Sequence, residues 1–228
     1  MQNKPPLATD PGRKKTPVWD LPTRLFHWLL VLLVAISFVT VKIGGNAMQY
    51  HERSGFTILM LLLFRLVWGV LGSQPSRFKT FLKGPATVLR YAATTLRREP
   101  ECHLTHNPLG GWSVAALLTA LLVQAGTGLF ANDDIATEGP LYGWVSKATS
   151  DWITEVHQFN AGIIVVLIVL HVAAVLFHLI YKRDNLLVPM FTGDKPCDAA
   201  DGPPGMRPRW LAIVIAAFAA AAVYLVVR

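Results

Sequence analysis

The residues best suited to chemistry are four histidines, which lie at the ends of long apolar stretches or within them. His27 and His51 lie in separate stretches, whereas His157 and His171 share a third. A neutral imidazole is a common metal ligand, and an ionisable side chain inside a membrane is a candidate for function. Because His157 and His171 are 14 residues apart, a helix carries both imidazoles on one side, about 21 Å apart along its axis.

The composition shows which solvent surrounds these histidines. The chain has 228 residues, of which 53% are hydrophobic and only 15% charged, and its mean hydropathy is +0.41. A soluble domain has about a quarter charged residues. The apolar residues here occur in runs, and two cysteines are too few for a disulfide framework. These observations exclude a disordered chain, a disulfide-stapled secreted domain and an ordinary cytosolic enzyme, and they predict an integral membrane protein in contact with lipid.

Gaps between charged residues locate five predicted spans, since a helix needs about 20 apolar residues to cross a bilayer. None of the runs alternates with period two, so a β-barrel is not expected. The first run has a basic flank like that of a signal peptide, but it is long and no small-x-small cleavage site follows it. We therefore interpret it as a retained helix. The predicted spans are 25–43, 52–72, 110–131, 156–181 and 209–227.

The net charge of +7 follows membrane topology and is not a signal for nucleic acid. The N-terminal tail and loop 73–109 are basic, and the loop 182–208 begins with Lys182 and Arg183. Loop 132–155 is acidic. Because basic loops stay in the cytoplasm, the N-terminus is predicted inside and loop 132–155 outside.

Depth in the membrane then predicts how the histidines pair. His51 and His157 lie near the outer surface, and His27 and His171 near the inner one. Two bis-imidazole sites stacked across a membrane are what two b-type haems require, together with small residues for close approach and cations for the propionates. The candidate small residues and cations are Gly55, Gly162, Arg24, Arg53 and Arg65.

Several alternatives stay open at this point. His178 competes with His171 as a ligand, because it lies seven residues further along the same face, and is otherwise an interfacial or propionate-binding residue. His106 is a candidate contact for a quinone or a propionate, or a hydrogen-bonding residue at the start of a helix. Arg65 is either paired with an anion or extended to the nearby interface. A zinc site has the right ligand types in Cys102, His103, His106 and Cys197, but their spacing matches no compact motif.

Four segments in order resemble the bacterial cytochrome b561 family. Each segment carries a histidine at or near the start of a predicted span, and together they cover roughly residues 18–185. The segments are Val18–Trp28, His51 to Gly55 with Arg65 to Gly72, His106–Trp112, and His157 to His171.

The resemblance implies an all-α integral membrane protein in which a four-helix transmembrane bundle holds two haems b. It implies haem ligation by His27, His51, His157 and His171. The additional C-terminal helix departs from the family's four spans and is expected to be peripheral. The predicted division is a cytoplasmic tail at 1–17, the bundle at 18–185, a Pro/Gly-rich linker at 186–208 and the fifth helix at 209–228.

The function expected is electron transfer across the bacterial inner membrane, by a subunit rather than a stand-alone enzyme, with no catalytic residue of its own. The donor is a quinone or another membrane component. The expected partner is a basic c-type cytochrome or other redox protein on the outer face. The carboxylates expected to meet that partner are Asp133, Asp134, Glu138, Asp151 and Glu155.

Two other functions compete with this one. A quinone-coupled superoxide oxidase would use the same scaffold, but its anionic substrate calls for a basic outer pocket, and the outer loops are mostly acidic. A haem-free scaffold or transporter helper would be colourless.

Overall fold

Helices dominate the structure, a computed structural model that describes residues 15–97, 105–196 and 204–228. Five of the helices in these ranges are long and apolar enough to cross a membrane, which confirms the predicted all-α membrane fold. The helices are α1 (Leu21–Ile43), α2 (Met48–Leu71), α3 (Phe78–Phe81), α4 (Pro85–Thr94), α5 (Pro108–Gly128), α6 (Lys147–Ile180), α7 (Leu187–Thr192) and α8 (Arg209–Val227). Two short strands, β1 (Lys15–Pro17) and β2 (Asp194–Pro196), pair antiparallel.

Polar side chains cap the starts of α1 and α5, just before their apolar runs. Asp20 caps α1 by accepting the backbone N–H of Thr23 at 2.9 Å, and Asn107 caps α5 through Gly110 at 2.7 Å. Such caps satisfy backbone donors that a helix leaves unpaired at its N-terminus. These two helices therefore begin in polar sequence, a few residues before the apolar runs that predicted them.

Helix α6 departs most from its predicted bounds, because it begins at Lys147 and not near residue 156. Ser146 caps it by accepting the N–H of Thr149 at 3.2 Å. Lys147 then pairs with Asp151 one turn later, at 2.9 Å, a spacing that stabilises a helix. The last nine residues of the predicted outer loop 132–155 are thus the start of α6.

Consecutive helices form two antiparallel hairpins, α1 with α2 and α5 with α6, and these join where α2 packs against α5. The shared core holds Ile58, Leu62, Trp68, Leu121 and Ile164, all buried. We call the two ends of this bundle the His51 end and the His27 end. The His51 end also carries His157, and the His27 end also carries His171.

Helix α8 packs along α2 and is not the peripheral appendage that its Ala-rich sequence suggested. Two of its four buried side chains, Ala212 and Ala219, are small, and small residues let membrane helices approach closely. The chain just before it is also docked, because the Arg207 N–H donates to Ser73 Oγ at 3.0 Å. The opposite side of α8 exposes Ile213 and Phe218, as suits contact with lipid.

Within the predicted linker 186–208, residues 187–196 form α7 and β2 and fold against the start of α1. Arg24 donates to the Phe191 carbonyl, and Trp28 Nε1 donates to the Met190 carbonyl at 3.2 Å. The Gly193 carbonyl accepts the N–H groups of both Val18 and Trp19. Gly193 has φ +95°, and a Cβ there would lie 3.0 Å from the Trp19 carbonyl, so the turn requires glycine.

Candidate functional site

The structure brings the four histidines together as two pairs, one at each end of the bundle. The ring centres of His51 and His157 are 6.3 Å apart, and those of His27 and His171 are 6.5 Å apart. Two imidazoles that bind one metal ion from opposite sides, at metal–nitrogen distances of about 2.0 Å, have ring centres about 6 Å apart. Both spacings therefore fit a metal between the rings.

Hydrogen bonds orient the two histidines of the His51 end. His51 Nδ1 lies 3.0 Å from the Ser37 carbonyl on α1, and His157 Nδ1 lies 3.0 Å from the Gln124 carbonyl on α5. A carbonyl only accepts, so each Nδ1 carries the proton and each Nε2 keeps a lone pair for a metal. This is the arrangement that metal-binding histidines usually have.

A cavity of about 400 Å3 adjoins this pair, within the range of about 300–1,000 Å3 typical of small-molecule sites. Gly55, four residues after His51, lines it, and a Cβ at Gly55 would meet nothing within 4 Å. Gly128 also lines it, and a Cβ there would lie 3.2 Å from His157 Cε1. Apolar walls and small residues beside the imidazoles are what a planar apolar cofactor needs.

Two residues predicted for this site lie elsewhere. Arg53 is exposed, because two residues from His51 is about 200° around a helix. Gly162 is also exposed, since five residues from His157 is about 140° around α6. Neither lines the cavity, where Ala161 is the small residue from that turn of α6.

At the His27 end, Arg65 is buried instead of reaching the interface. Its side chain is only 3% exposed, its guanidinium carbon lies 4.8 Å from the Phe78 ring centre, and it is attracted by the charge of Asp20. Within the described chain Arg65 Nη1 has no hydrogen-bond partner. A buried guanidinium with an unused donor fits an anionic group of a bound cofactor.

His106 and Arg24 also lie at the His27 end. The His106 ring centre is 4.8 Å from those of Trp19 and Phe81. Burial, and then the charge of Arg65, lower the pKa of His106 to about 3, so its side chain is neutral at physiological pH. Arg24 is engaged by the Phe191 carbonyl.

His171, rather than His178, faces His27. The His178 ring instead meets the cap of α5, where the Asn107 amide lies 3.1 Å from His178 Nε2. Of the zinc alternative, Cys102, His103 and Cys197 lie outside the described residues. Within the described ranges no group of three metal-binding side chains occurs.

The acidic loop at the His51 end uses several of its carboxylates internally. Asp133 accepts the backbone N–H groups of Thr137, Ala136 and Ile135 at 2.8–2.9 Å, and these bonds hold the pKa of Asp133 well below its usual range. Asp134 and Asp151 both pair with Lys147. Glu138 and Glu155 are exposed.

Sequence reasoning missed four polar residues beside the His51 end. Ser54 and Asn160 each follow a site histidine by three residues, on the same helix face, and they contact Ser37 and Gln124 on the neighbouring helices. A polar side chain inside an apolar span is itself a signal. A search of the apolar spans for serine, asparagine and glutamine as well as histidine would have found these four residues.

Comparison with known proteins identifies the family. The chain matches the family described as prokaryotic cytochrome b561 over residues 18–193. No solved structure is significantly similar to it.

Relatives with assigned names share one description. The probable Ni/Fe-hydrogenase B-type cytochrome subunit of Bradyrhizobium diazoefficiens is 24% identical, over 81% of this chain and 87% of the relative. That of Rhodobacter capsulatus is 22% identical, over 78% and 80%. The probable Ni/Fe-hydrogenase 1 B-type cytochrome subunit of Escherichia coli K12 is 23% identical, over 77% and 88%. Since the family match runs from the start of α1 past the end of α7 and includes both histidine pairs, the chain belongs to the prokaryotic cytochrome b561 family.

Proposed function

We propose that this multi-pass membrane cytochrome binds two haems b and moves electrons across the bacterial inner membrane. The observation that carries the proposal is the presence of two histidine pairs at opposite ends of one bundle, with ring centres 6.3 and 6.5 Å apart. In the proposed arrangement His51 and His157 hold the outer haem, and His27 and His171 the inner one. Bound haem supplies reversible one-electron exchange.

The chain's own residues divide the remaining tasks. Backbone carbonyls of α1 and α5 fix the outer imidazoles, and the apolar cavity excludes water from them. At the inner end Arg65, Arg24 and His106 are proposed to bind propionates, because each has a buried nitrogen with no hydrogen-bond partner among the described residues. The basic N-terminal side is proposed to face the cytoplasm.

Counting haems tests the proposal directly. Purified protein should contain close to two haems b per chain, both low-spin, because two imidazoles leave no open position on the iron. A pyridine haemochrome assay against protein mass gives the count, and EPR gives the spin state. A ratio near one, a high-spin signal or a colourless protein would contradict it.

A redox protein on the outer face is the proposed partner. The relatives' names make a hydrogenase one candidate, and the acidic loop favours any partner whose docking rim is basic. The donor within the membrane is proposed to be a quinone. Glu52 and Asp133 line the outer cavity and would repel superoxide, which disfavours the oxidase alternative.

Salt dependence tests this docking surface. With a basic cytochrome c as the probe, the reduced protein should transfer electrons several-fold more slowly at high salt, because screening shortens the range of attraction to about 8 Å or less. The double variant Glu138→Gln, Glu155→Gln should slow it again at low salt, as followed by stopped-flow absorbance. Asp133 is a poor target because it holds its own turn.

The matched control is Asp194→Asn, which removes an exposed carboxylate at the opposite end of the bundle. It should leave the rate unchanged. A rate that ignores both salt and the Glu138/Glu155 change would mean that this loop has no steering role.

A further inference from the structure

The two helix hairpins repeat one polar arrangement around the histidines of the His51 end. In each hairpin, a residue of the first helix binds twice to the second helix. Its backbone carbonyl accepts the histidine Nδ1–H, and its side chain contacts a polar residue three positions after that histidine. We call the two arrangements the Ser37 clamp (Ser37, Ser54 and His51) and the Gln124 clamp (Gln124, Asn160 and His157).

The Ser37 clamp joins α1 to α2. His51 Nδ1 lies 3.0 Å from the Ser37 carbonyl, and Ser37 Oγ lies 2.6 Å from Ser54 Oγ. Ser54 is buried and also donates to the His51 carbonyl at 2.8 Å, so the Ser37 hydroxyl donates to Ser54. Thr40 adds a bond to the same Ser37 carbonyl at 3.2 Å. Both hydroxyls and the Nδ1–H of His51 are thereby used, and His51 Nε2 stays available.

The Gln124 clamp joins α5 to α6 in the same way. His157 Nδ1 lies 3.0 Å from the Gln124 carbonyl. The Asn160 amide donates to Gln124 Oε1 at 2.7 Å and to the Ala120 carbonyl at 2.9 Å. Thr127, three residues after Gln124 as Thr40 is after Ser37, donates to the Gln124 carbonyl at 3.1 Å. Asn160 is only 6% exposed.

The His27 end has no such arrangement on His27. Its Nδ1 is buried without a hydrogen-bond partner among the described residues. The hydrogen bonding of the histidines therefore differs between the two ends of the bundle. At one end each imidazole hydrogen-bonds to a backbone carbonyl and its helix is tied to that carbonyl's residue by a second polar contact, and at the other the His27 ring packs against Trp28.

We propose that Ser54 and Asn160 are positioning residues, which act through Ser37 and Gln124 to fix the His51 and His157 imidazoles and so lower the potential of the haem bound there. This inference rests on the proposed ligation by His51 and His157. It adds that, of the two haems, the one at the His51 end has the lower midpoint potential.

The physical reason is the effect of the Nδ1–H bond on the ligand. An imidazole that donates Nδ1–H to a carbonyl is a more basic ligand through Nε2, and a more basic ligand stabilises the oxidised iron. The bond persists only while the two helices keep their register. Ser54 and Asn160 fix that register inside the membrane, where a polar contact has no water to replace it.

Redox titration of the purified di-haem protein tests the proposal. Asn160→Leu and Ser54→Ala should each retain both haems and raise one midpoint potential while the other stays unchanged. The low-spin EPR signal of the same haem should also shift, because it depends on the angle between the ligand planes, 77° between His51 and His157 here. Ser54→Thr keeps the hydroxyl and should restore the wild-type potential.

Thr57→Ala is the matched control. Thr57 lies one turn after Ser54, but its hydroxyl bonds only the Arg53 carbonyl of its own helix, so neither potential should move. Repeating the titration in a His27→Ala background assigns the signal, since the remaining haem should be the low-potential one. If both potentials shift together, if neither shifts, or if the remaining haem is the high-potential one, the inference is overturned.

Separate variants test the proposed ligation and the positioning role. His51→Ala that leaves both haems in place would refute ligation by His51, whatever Asn160→Leu does. Haem loss from His51→Ala with unchanged potentials in Asn160→Leu and Ser54→Ala would refute only the positioning role. If Asn160→Leu does not fold, Ser54→Ala carries the test alone.

Discussion

Replacing either His51 or His157 by alanine is expected to remove the same haem. Each single variant should therefore retain about one haem per chain, and the double variant should retain the same number. The reason is geometric, because these two rings face each other 6.3 Å apart and one imidazole holds a b-type haem poorly by itself. Haem content by pyridine haemochrome and the two-component redox titration measure the effect.

The same experiment at the other end separates His171 from His178. His27→Ala and His171→Ala should remove the second haem, since their ring centres lie 6.5 Å apart. His178→Ala should keep both haems, because His178 is held by the Asn107 amide. It is a matched control, being a histidine on the same helix face two turns away. Loss of the haem with His178→Ala and its survival in His171→Ala would reverse the assignment.

Asp20→Ala is expected to destabilise the protein more than any other loss of a helix cap. Asp20 is buried, and one of its oxygens caps α1 through Thr23 while the other accepts Trp68 Nε1 at 2.9 Å. Its removal leaves the Trp68 donor unpaired and takes away the negative charge near buried Arg65. We expect a loss of about 3 kcal/mol in the free energy of unfolding.

Ser146→Ala provides the comparison. Ser146 also caps a helix, α6, but it is exposed and contacts only Thr149, so its loss should cost about 1 kcal/mol or less. Unfolding titrations of the two variants in mixed detergent give both values. Equal losses would mean that the contacts of Asp20 to Trp68 and Arg65 add nothing to its role as a cap.

The spans were predictable because a bilayer demands about 20 apolar residues in a row, and that demand is visible without any tertiary information. All five predicted spans are helices in the structure. Depth along those spans was enough to pair the histidines. The start of α6 was missed, because its first two turns lie outside the apolar run and are stabilised by a cap and an ion pair.

The residues around the site were harder to predict, because their placement depends on the angle around the helix axis as well as on depth in the membrane. Gly55, four residues from His51, lies about 40° away around the helix and lines the cavity. Arg53 and Gly162 lie on other faces of the same helices. All three were candidates because of their residue types, and a residue type does not show which face of the helix it lies on.

The packing partners of two segments near the C-terminus were not predicted. Residues 187–196 looked like a linker by composition, yet β2 pairs with β1, about 180 residues earlier in the chain. Alanines made α8 look dispensable, although a small side chain is what permits close packing on α2. Neither partner can be inferred from the segment by itself.

The packing of α8 on α2 has a consequence for the order in which the protein is assembled during synthesis. The hairpins α1–α2 and α5–α6 join helices that leave the ribosome consecutively, so each can associate as soon as its second helix is inserted. Helix α2 is different, because one of its buried faces is covered by α8, which is made after every other span. Until then lipid must cover that face of α2, as helices insert before they associate. The order of translation and the order of packing therefore differ, and completion of the bundle waits for its last helix.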